Sequence, residues 1–175
     1  FTLVSSATPR KSAVGGVVLG VESEEAARAA YAAVAGGARR QGEPDPISVL
    51  VAPQLPTPRA ELLVGAFRDP ALGPVLSIGA GGVWVEALGD ASVRILPVDD
   101  PELESMLAEL HLWPVLQGGR GFASVDLGPV IAAAKAVADT MRRRDEVLEV
   151  EVNPLFVYED RAIPVDARIV VEDSR

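Results

Sequence analysis

The sequence predicts an α+β fold in two lobes. Apolar residues make up 49% of the chain but aromatics only 5%, so the core has to be built from Val, Leu, Ile and Ala. Extended runs and helical stripes alternate loosely, with antiparallel hairpins among them, which separates this chain from a doubly wound parallel sheet. A proline-rich stretch at residues 53–58 marks a hinge between an N-terminal lobe portion (1–52) and a C-terminal lobe (59–175).

Residues 1–4 and 14–21 read as strands flanking a polar, basic segment. Ser23-Glu24-Glu25 opens a helix, because a capping hydroxyl and first-turn acids satisfy its free N–H groups and dipole. Ala27, Ala30, Tyr31 and Val34 recur at helical spacing, and Gly36-Gly37 predicts the end of that helix. Further strands are expected at 47–52, 61–67, 75–78, 83–88 and 92–96, with Gly89-Asp90 as a compact turn between the last two. Asp99-Asp100-Pro101 announces a helix with an apolar stripe of Leu103, Met106, Leu107 and Leu110. A longer helix carries Val130, Ala134, Val137 and Met141, and Arg142-Arg143-Arg144 reads as its cationic last turn.

Composition excludes several classes of function. The net charge of −9 argues against a nucleic-acid surface, which needs a basic stripe. Zero cysteines rule out disulfides, thiolate zinc sites and a cysteine nucleophile, and are compatible with the cytoplasm, the expected location. No run approaches ~18 apolar residues, so no membrane span is expected. The chain opens on Phe1-Thr2-Leu3-Val4, without Met and in a strand, and is expected to be a piece of something longer with its N-terminal part missing.

The chemistry concentrates near the C-terminus. Leu148, Val150 and Val152 alternate with Glu149, Glu151 and Asn153, so a period of two predicts a half-buried strand with oxygen-bearing side chains on one face. Residues 156–158, a polar turn at Glu159-Asp160-Arg161, and a return over 163–165 would bring Asp166 back beside Asn153. Mg²⁺ takes oxygen ligands at ~2.1 Å, commonly one or two protein groups completed by phosphate and water. Asn153 and Asp166, with Glu151 nearby, meet that demand if a phosphate supplies the rest; the competing reading is a solvated acidic hairpin.

Three glycine-rich segments add phosphate-binding potential. Lys11-Ser12-Ala13-Val14-Gly15-Gly16 combines a cation with glycines that let main-chain N–H groups approach an anion. Gly79-Ala80-Gly81-Gly82 lacks the spacing of a dinucleotide fingerprint. Gly118-Gly119-Arg120-Gly121 sets a planar guanidinium among glycines, in what is otherwise an ordinary interhelical loop. His111, the only histidine, lies among apolar residues and is expected at the core or its boundary.

Taken in order, these segments resemble the ATP-grasp domain of NDP-forming acyl-CoA synthetases, relatives of the succinyl-CoA synthetase β subunit. The motifs are Lys11-Ser12 with Gly15-Gly16-Val17, Glu61, Val64-Gly65, Arg68-Asp69-Pro70 with Gly73-Pro74, and Gly79-x-Gly81-Gly82-x-x-x-Glu86. They continue with Asp90, Arg94-x-x-Pro97, Gly118-x-Arg120-Gly121, Asp126, Glu151-x-Asn153-Pro154-Leu155 and Asp166-Ala167-Arg168. The resemblance covers essentially the whole chain and implies an ATP-grasp fold with nucleotide held in a cleft between two α+β lobes. It implies ATP or ADP and Mg²⁺ as ligands, and interconversion of acyl-CoA, NDP and phosphate with acid, CoA and NTP. A CoA-binding domain or α-type subunit is the implied partner. By the same likeness Asn153 and Asp166 are Mg²⁺ ligands, Lys11, Gly15 and Gly16 the phosphate-side loop, and Glu61 a residue of the nucleotide cleft. Arg94 and Arg120 are candidates for phosphate or phosphohistidine-loop contacts.

Departures from the family pattern sit on the nucleotide side. Thr2 occupies the register of a lysine that contacts nucleotide phosphates, and Arg10 stands where the acetyl-CoA-forming branch has a phosphoryl-relay histidine. Ala13 replaces an aspartate, and the hinge reads Val51-Ala52-Pro53-Gln54 without its usual acid. Pro53 also removes a main-chain donor. These losses support an alternative: a degenerate, non-catalytic synthetase-like domain with a sensing role, of the kind fused to acetyltransferases.

Overall fold

The structure is a computed structural model of all 175 residues, and the description below covers residues 1–4, 15–82, 89–119 and 121–172. Two compact units are present, Phe1–Pro56 and Thr57–Arg175. Among the described residues no helix is long and apolar enough to cross a membrane.

In the first unit, strand β1 (Thr2–Val4) pairs antiparallel with β2 (Ser48–Leu50), and helix α1 (Glu24–Arg40) packs across them. Its start follows the sequence: Ser23 Oγ accepts the Ala26 N–H at 3.1 Å, and Glu24 and Glu25 fill the first turn. Its end does not. The helix continues through Gly36-Gly37 to Arg40, and its buried positions are Ala30, Val34, Ala35, Gly37 and Ala38, while Tyr31 is exposed. Each helical glycine costs about 1 kcal/mol relative to alanine. Burying the small-residue face against Leu3 and Ile47 offsets that cost. The strand expected at 14–21 reduces, among the described residues, to a short run beside β1. There Gly16 O accepts the Leu3 N–H (2.7 Å), Phe1 O accepts the Val18 N–H (2.9 Å), and Thr2 bridges Val17.

The second unit is one antiparallel sheet backed by helices. Strands β3 (Ala60–Asp69), β4 (Gly73–Ala80), β5 (Ala91–Ile95), β6 (Val147–Val157), β7 (Ala162–Pro164) and β8 (Ala167–Val171) run in the order β5-β4-β3-β6-β7, with β8 also on β6. Helices α2 (Asp100–Ala108), α3 (Trp113–Leu116) and α4 (Gly128–Arg143) connect β5 to β6. Leu62, Val64, Ala66, Leu76, Ile78, Val150, Leu155 and Val157 of the sheet meet Leu103, Met106, Leu107, Val130, Ala134, Val137 and Met141 of α2 and α4 in one buried cluster. The predicted stripes of both helices are therefore its helical half. Asp99 and Glu102 form a reciprocal capping box on α2.

Arg68-Asp69-Pro70 builds the fold. Asp69 Oδ1 accepts the Ala71 and Leu72 N–H groups (2.8 and 2.9 Å), closing the β3–β4 turn, where Gly73 takes φ +79°. The Arg68 guanidinium donates to Met141 O (2.8 Å), Arg144 O (3.0 Å) and Val147 O (2.8 Å), capping α4 and holding it to β6. The arginines after α4 are ion-paired: Arg142 and Arg143 with Asp139, and Arg144 with Glu146.

Strand β6 departs from the expected alternation. Val147 is buried and Leu148 is 40% exposed, because its pairing with β8 shifts between Val147 and Glu149. A second shift, opposite β3 between Leu62 and Val64, sets Asn153 and Pro154 against the single residue Leu63. Buried positions consequently change phase from Val150 to Leu155 and Val157. The second bulge is where the candidate site lies.

Candidate functional site

The β6–β7 hairpin brings Asn153 and Asp166 together. Tyr158 N–H donates to Arg161 O (2.9 Å) across the Glu159-Asp160-Arg161 turn, and Val157 pairs with Ala162. With Val152 opposite Ala167 and Leu155 opposite Pro164, the register puts Asn153 directly across from Asp166, and Asn153 N–H donates to Asp166 O at 3.1 Å. Opposed residues have Cβ atoms about 4.5–5.5 Å apart on the same face.

The two side chains are held differently. Asn153 is partly buried, and its amide oxygen accepts the Gly82 N–H at 3.1 Å. Asp166 is exposed, and its Oδ1 accepts the neighbouring Ala167 N–H at 2.9 Å, which restrains the carboxylate. Glu151 lies one alternation away, between Gly65 and Arg168 in the register.

Glu61 joins this constellation through the Gly81-Gly82 turn. Gly81 N–H donates to Glu61 O at 2.7 Å, and a side chain at Gly81 would fall on the Leu62 main chain at 2.5 Å. Gly82 has φ +71°, and a Cβ there would overlap the Glu61 carboxylate, 3.0 Å from its Cδ. The glycines of this motif therefore serve a close passage of main chain between Glu61 and Asn153. The other end of the segment is braced by Asp90, whose carbonyl accepts the Ala80 N–H at 2.9 Å.

Asp90 proves to be a buried anchor. Its carboxylate accepts the main-chain N–H groups of His111 (2.9 Å) and Leu112 (3.4 Å), and its Oδ1 lies 3.0 Å from His111 Nδ1. His111 is consequently held outward with its side chain 91% exposed, contrary to the core or boundary position expected for it, while Leu110 takes the buried position. The apolar neighbours of His111 in sequence concealed a turn organised from a distant strand.

Arg94 is engaged within the protein. Its guanidinium binds the Glu109 carboxylate and donates to Ser92 Oγ (3.2 Å) and Val93 O (2.9 Å), while Ser92 Oγ donates to Glu109 (2.6 Å). The Arg94 hydrogen bond, supported by Ser92, holds the Glu109 carboxyl below its ordinary range, and Glu109 in turn raises Arg94. This network ties β5 to the end of α2.

In the first unit, Gly15 takes φ +69° and Gly16 is occupied by its main-chain bond to Leu3. Lys11, Arg10, Ala13, Arg120, Glu86 and the strand expected at 83–88 lie outside the described residues. Phe122 is 63% exposed and stacks at 4.1 Å on Arg59, which Glu159 binds at 2.8 Å. Neither Arg59 nor Phe122 carried a recognisable signal in the sequence.

Among the described residues no cluster of three His, Cys, Asp or Glu side chains could hold a metal. The site offers one amide and one carboxylate oxygen on opposed residues, with Glu61 nearby. That donor set fits Mg²⁺, which takes few protein ligands and leaves its other positions to phosphate and water.

A model of the ATP-grasp domain matches residues 1–171. The β subunit of ADP-forming acetate–CoA ligase I from Pyrococcus furiosus is 35% identical over 170 residues, which are 97% of this chain and 73% of that protein. ADP-forming acetate–CoA ligase II of Archaeoglobus fulgidus is 35% identical over 165 residues, 94% of this chain but 23% of the relative. Among solved structures, the acetyl-coenzyme A synthetase 1 of Ca. Korarchaeum cryptofilum, in complex with coenzyme A and Mg-AMPPCP, superposes with a TM-score of 0.81 at 31% identity. That match covers 98% of this chain and 75% of that one.

Proposed function

Since this chain belongs to the ATP-grasp domain family, in the branch of the ADP-forming acetate–CoA ligases, we propose that it binds ATP or ADP with Mg²⁺ through the second unit's β6–β7 hairpin. The observation that carries this reading is the opposition of Asn153 and Asp166, each already oriented by a main-chain N–H. Asn153 and Asp166 would hold the cation, whose chemistry is to neutralise phosphate charge during phosphoryl transfer. The Asn153 amide supplies a neutral oxygen whose direction Gly82 sets, and Asp166 supplies the charge. Glu61, on the far side of Gly82, stands within the same nucleotide site.

Phosphoryl transfer asks little covalent chemistry of such a domain; positioning and charge neutralisation suffice. The reaction served is the interconversion of acyl-CoA, NDP and phosphate with acid, CoA and NTP, completed by a CoA-binding domain or an α-type subunit. Two relatives support that division of labour, one being named a β subunit and the other spanning a much longer chain.

Calorimetric titration with ADP, with and without Mg²⁺, tests the reading. Nucleotide binding strengthened by Mg²⁺ in the wild type, and losing that Mg²⁺ dependence in Asn153→Ala and Asp166→Ala, is expected. Absence of heat and of any thermal shift at roughly millimolar Mg-ADP would refute it.

A further inference from the structure

Gly82 touches both groups that flank it. Its N–H donates to Asn153 Oδ1 at 3.1 Å, and its Cα occupies a space that a side chain could enter only by displacing the Glu61 carboxylate. The preceding residues are fixed from two other directions, by Gly81 N–H on Glu61 O and by Ala80 N–H on Asp90 O. The N–H of Gly82 is thus presented by a braced segment.

The Asn153 side chain is attached to a bulge, where the regular ladder does not set its direction. A free amide there could turn either its oxygen or its nitrogen toward a cation, and only the oxygen ligates. An N–H donor on one lone pair of Oδ1 selects the ligating orientation and leaves the second lone pair free. Alanine at position 82 would combine an unfavourable φ of +71° with an overlap on Glu61, so one methyl group would displace the Glu61 carboxylate and strain the main chain that presents the N–H to Asn153.

We propose that Gly82 is a positioning residue for cation binding: its main-chain N–H orients the Asn153 amide oxygen, and its missing side chain leaves room for the Glu61 carboxylate against the same turn. The inference rests on the Mg-nucleotide reading. Groups that orient a metal ligand typically change metal affinity 10–100-fold when lost, so Gly82→Ala is expected to weaken Mn²⁺ binding in the presence of ADP by about tenfold or more. Asn153→Asp, which keeps an oxygen for Gly82 and another for the cation, should retain binding.

The test is Mn²⁺ titration of the full chain with ADP, read by electron paramagnetic resonance, alongside NMR of the Gly82 amide. In the wild type, Mg²⁺ added to the ADP-bound protein should shift that amide resonance, and Asn153→Ala should speed its hydrogen exchange. A folded Gly82→Ala that binds Mn²⁺ with wild-type affinity overturns the proposal. If that variant does not fold, an unshifted Gly82 resonance, or exchange unchanged in Asn153→Ala, overturns it instead. Wild-type protein that binds no Mn-ADP would sink the underlying functional reading, whereas normal wild-type binding lost in Asn153→Ala but kept in Gly82→Ala would sink only this inference.

Discussion

Replacing Arg68 by alanine should destabilise the second unit without a direct effect on ligand binding. The guanidinium donates to three carbonyls, at 2.8, 3.0 and 2.8 Å, and two of them belong to Met141 and Arg144 at the end of α4, where no later helical N–H is available. A hydrogen bond to a charged group contributes about 1.5–3 kcal/mol. Three full contributions would overstate the loss, because the side chain is 27% exposed and water can reach the helix end once it is removed. The expected cost is about 2–4 kcal/mol, a large share of the 5–15 kcal/mol typical of a folded protein. In a chain of 175 residues that corresponds to a fall in Tm of roughly 5–15 °C. Urea denaturation followed by circular dichroism measures it, with the midpoint falling and the slope unchanged. Arg68→Lys should recover less than half, since an ammonium cannot span three carbonyls in one plane. A loss below about 0.5 kcal/mol, or wild-type stability with weakened Mg-ADP binding, would refute the assignment of this motif to the fold.

The Glu109–Arg94 pair gives a pH signature. Because Arg94, and then Ser92, hold the Glu109 carboxyl below its ordinary range, its contribution to stability is complete above the unfolded value of about 4.3 and is lost as pH falls through the folded value. Glu109→Gln should therefore be less stable than wild type at pH 7, with the gap closing in acid; a gap constant from pH 7 to 3 would contradict this. The resemblance sets Thr2 in the register of a phosphate-contacting lysine, and on that reading Thr2→Lys should tighten ATP binding by about tenfold or more, as one charge-assisted hydrogen bond predicts. Calorimetry showing no gain would mean that Thr2 does not occupy the phosphate-contacting register.

Much of the fold was legible because its signals are local. Ser23 and Asp99 cap their helices through main-chain groups a few residues away, and the stripes of α2 and α4 follow from helical periodicity alone. The end of α1 was not legible, since burial of Gly37 and Ala38 against a strand outweighs the local preference of two glycines to stop a helix. Nor were the bulges of β6, because a register shift depends on what the neighbouring strands present.

The pairing of Asn153 with Asp166 was determined by sequence: a short hairpin with a polar turn returns the chain to a fixed register, and few residues intervene. What surrounds the pair was decided only by tertiary structure. Gly82 reaches Asn153 across 71 positions of chain, and Glu61 meets the same Gly81-Gly82 turn because β3 lies between β4 and β6. The same packing committed Arg94 to Glu109 and turned His111 outward on Asp90. Local periodicity specifies which face of a strand a side chain occupies, but the partner it meets there is chosen by how the whole sheet is ordered.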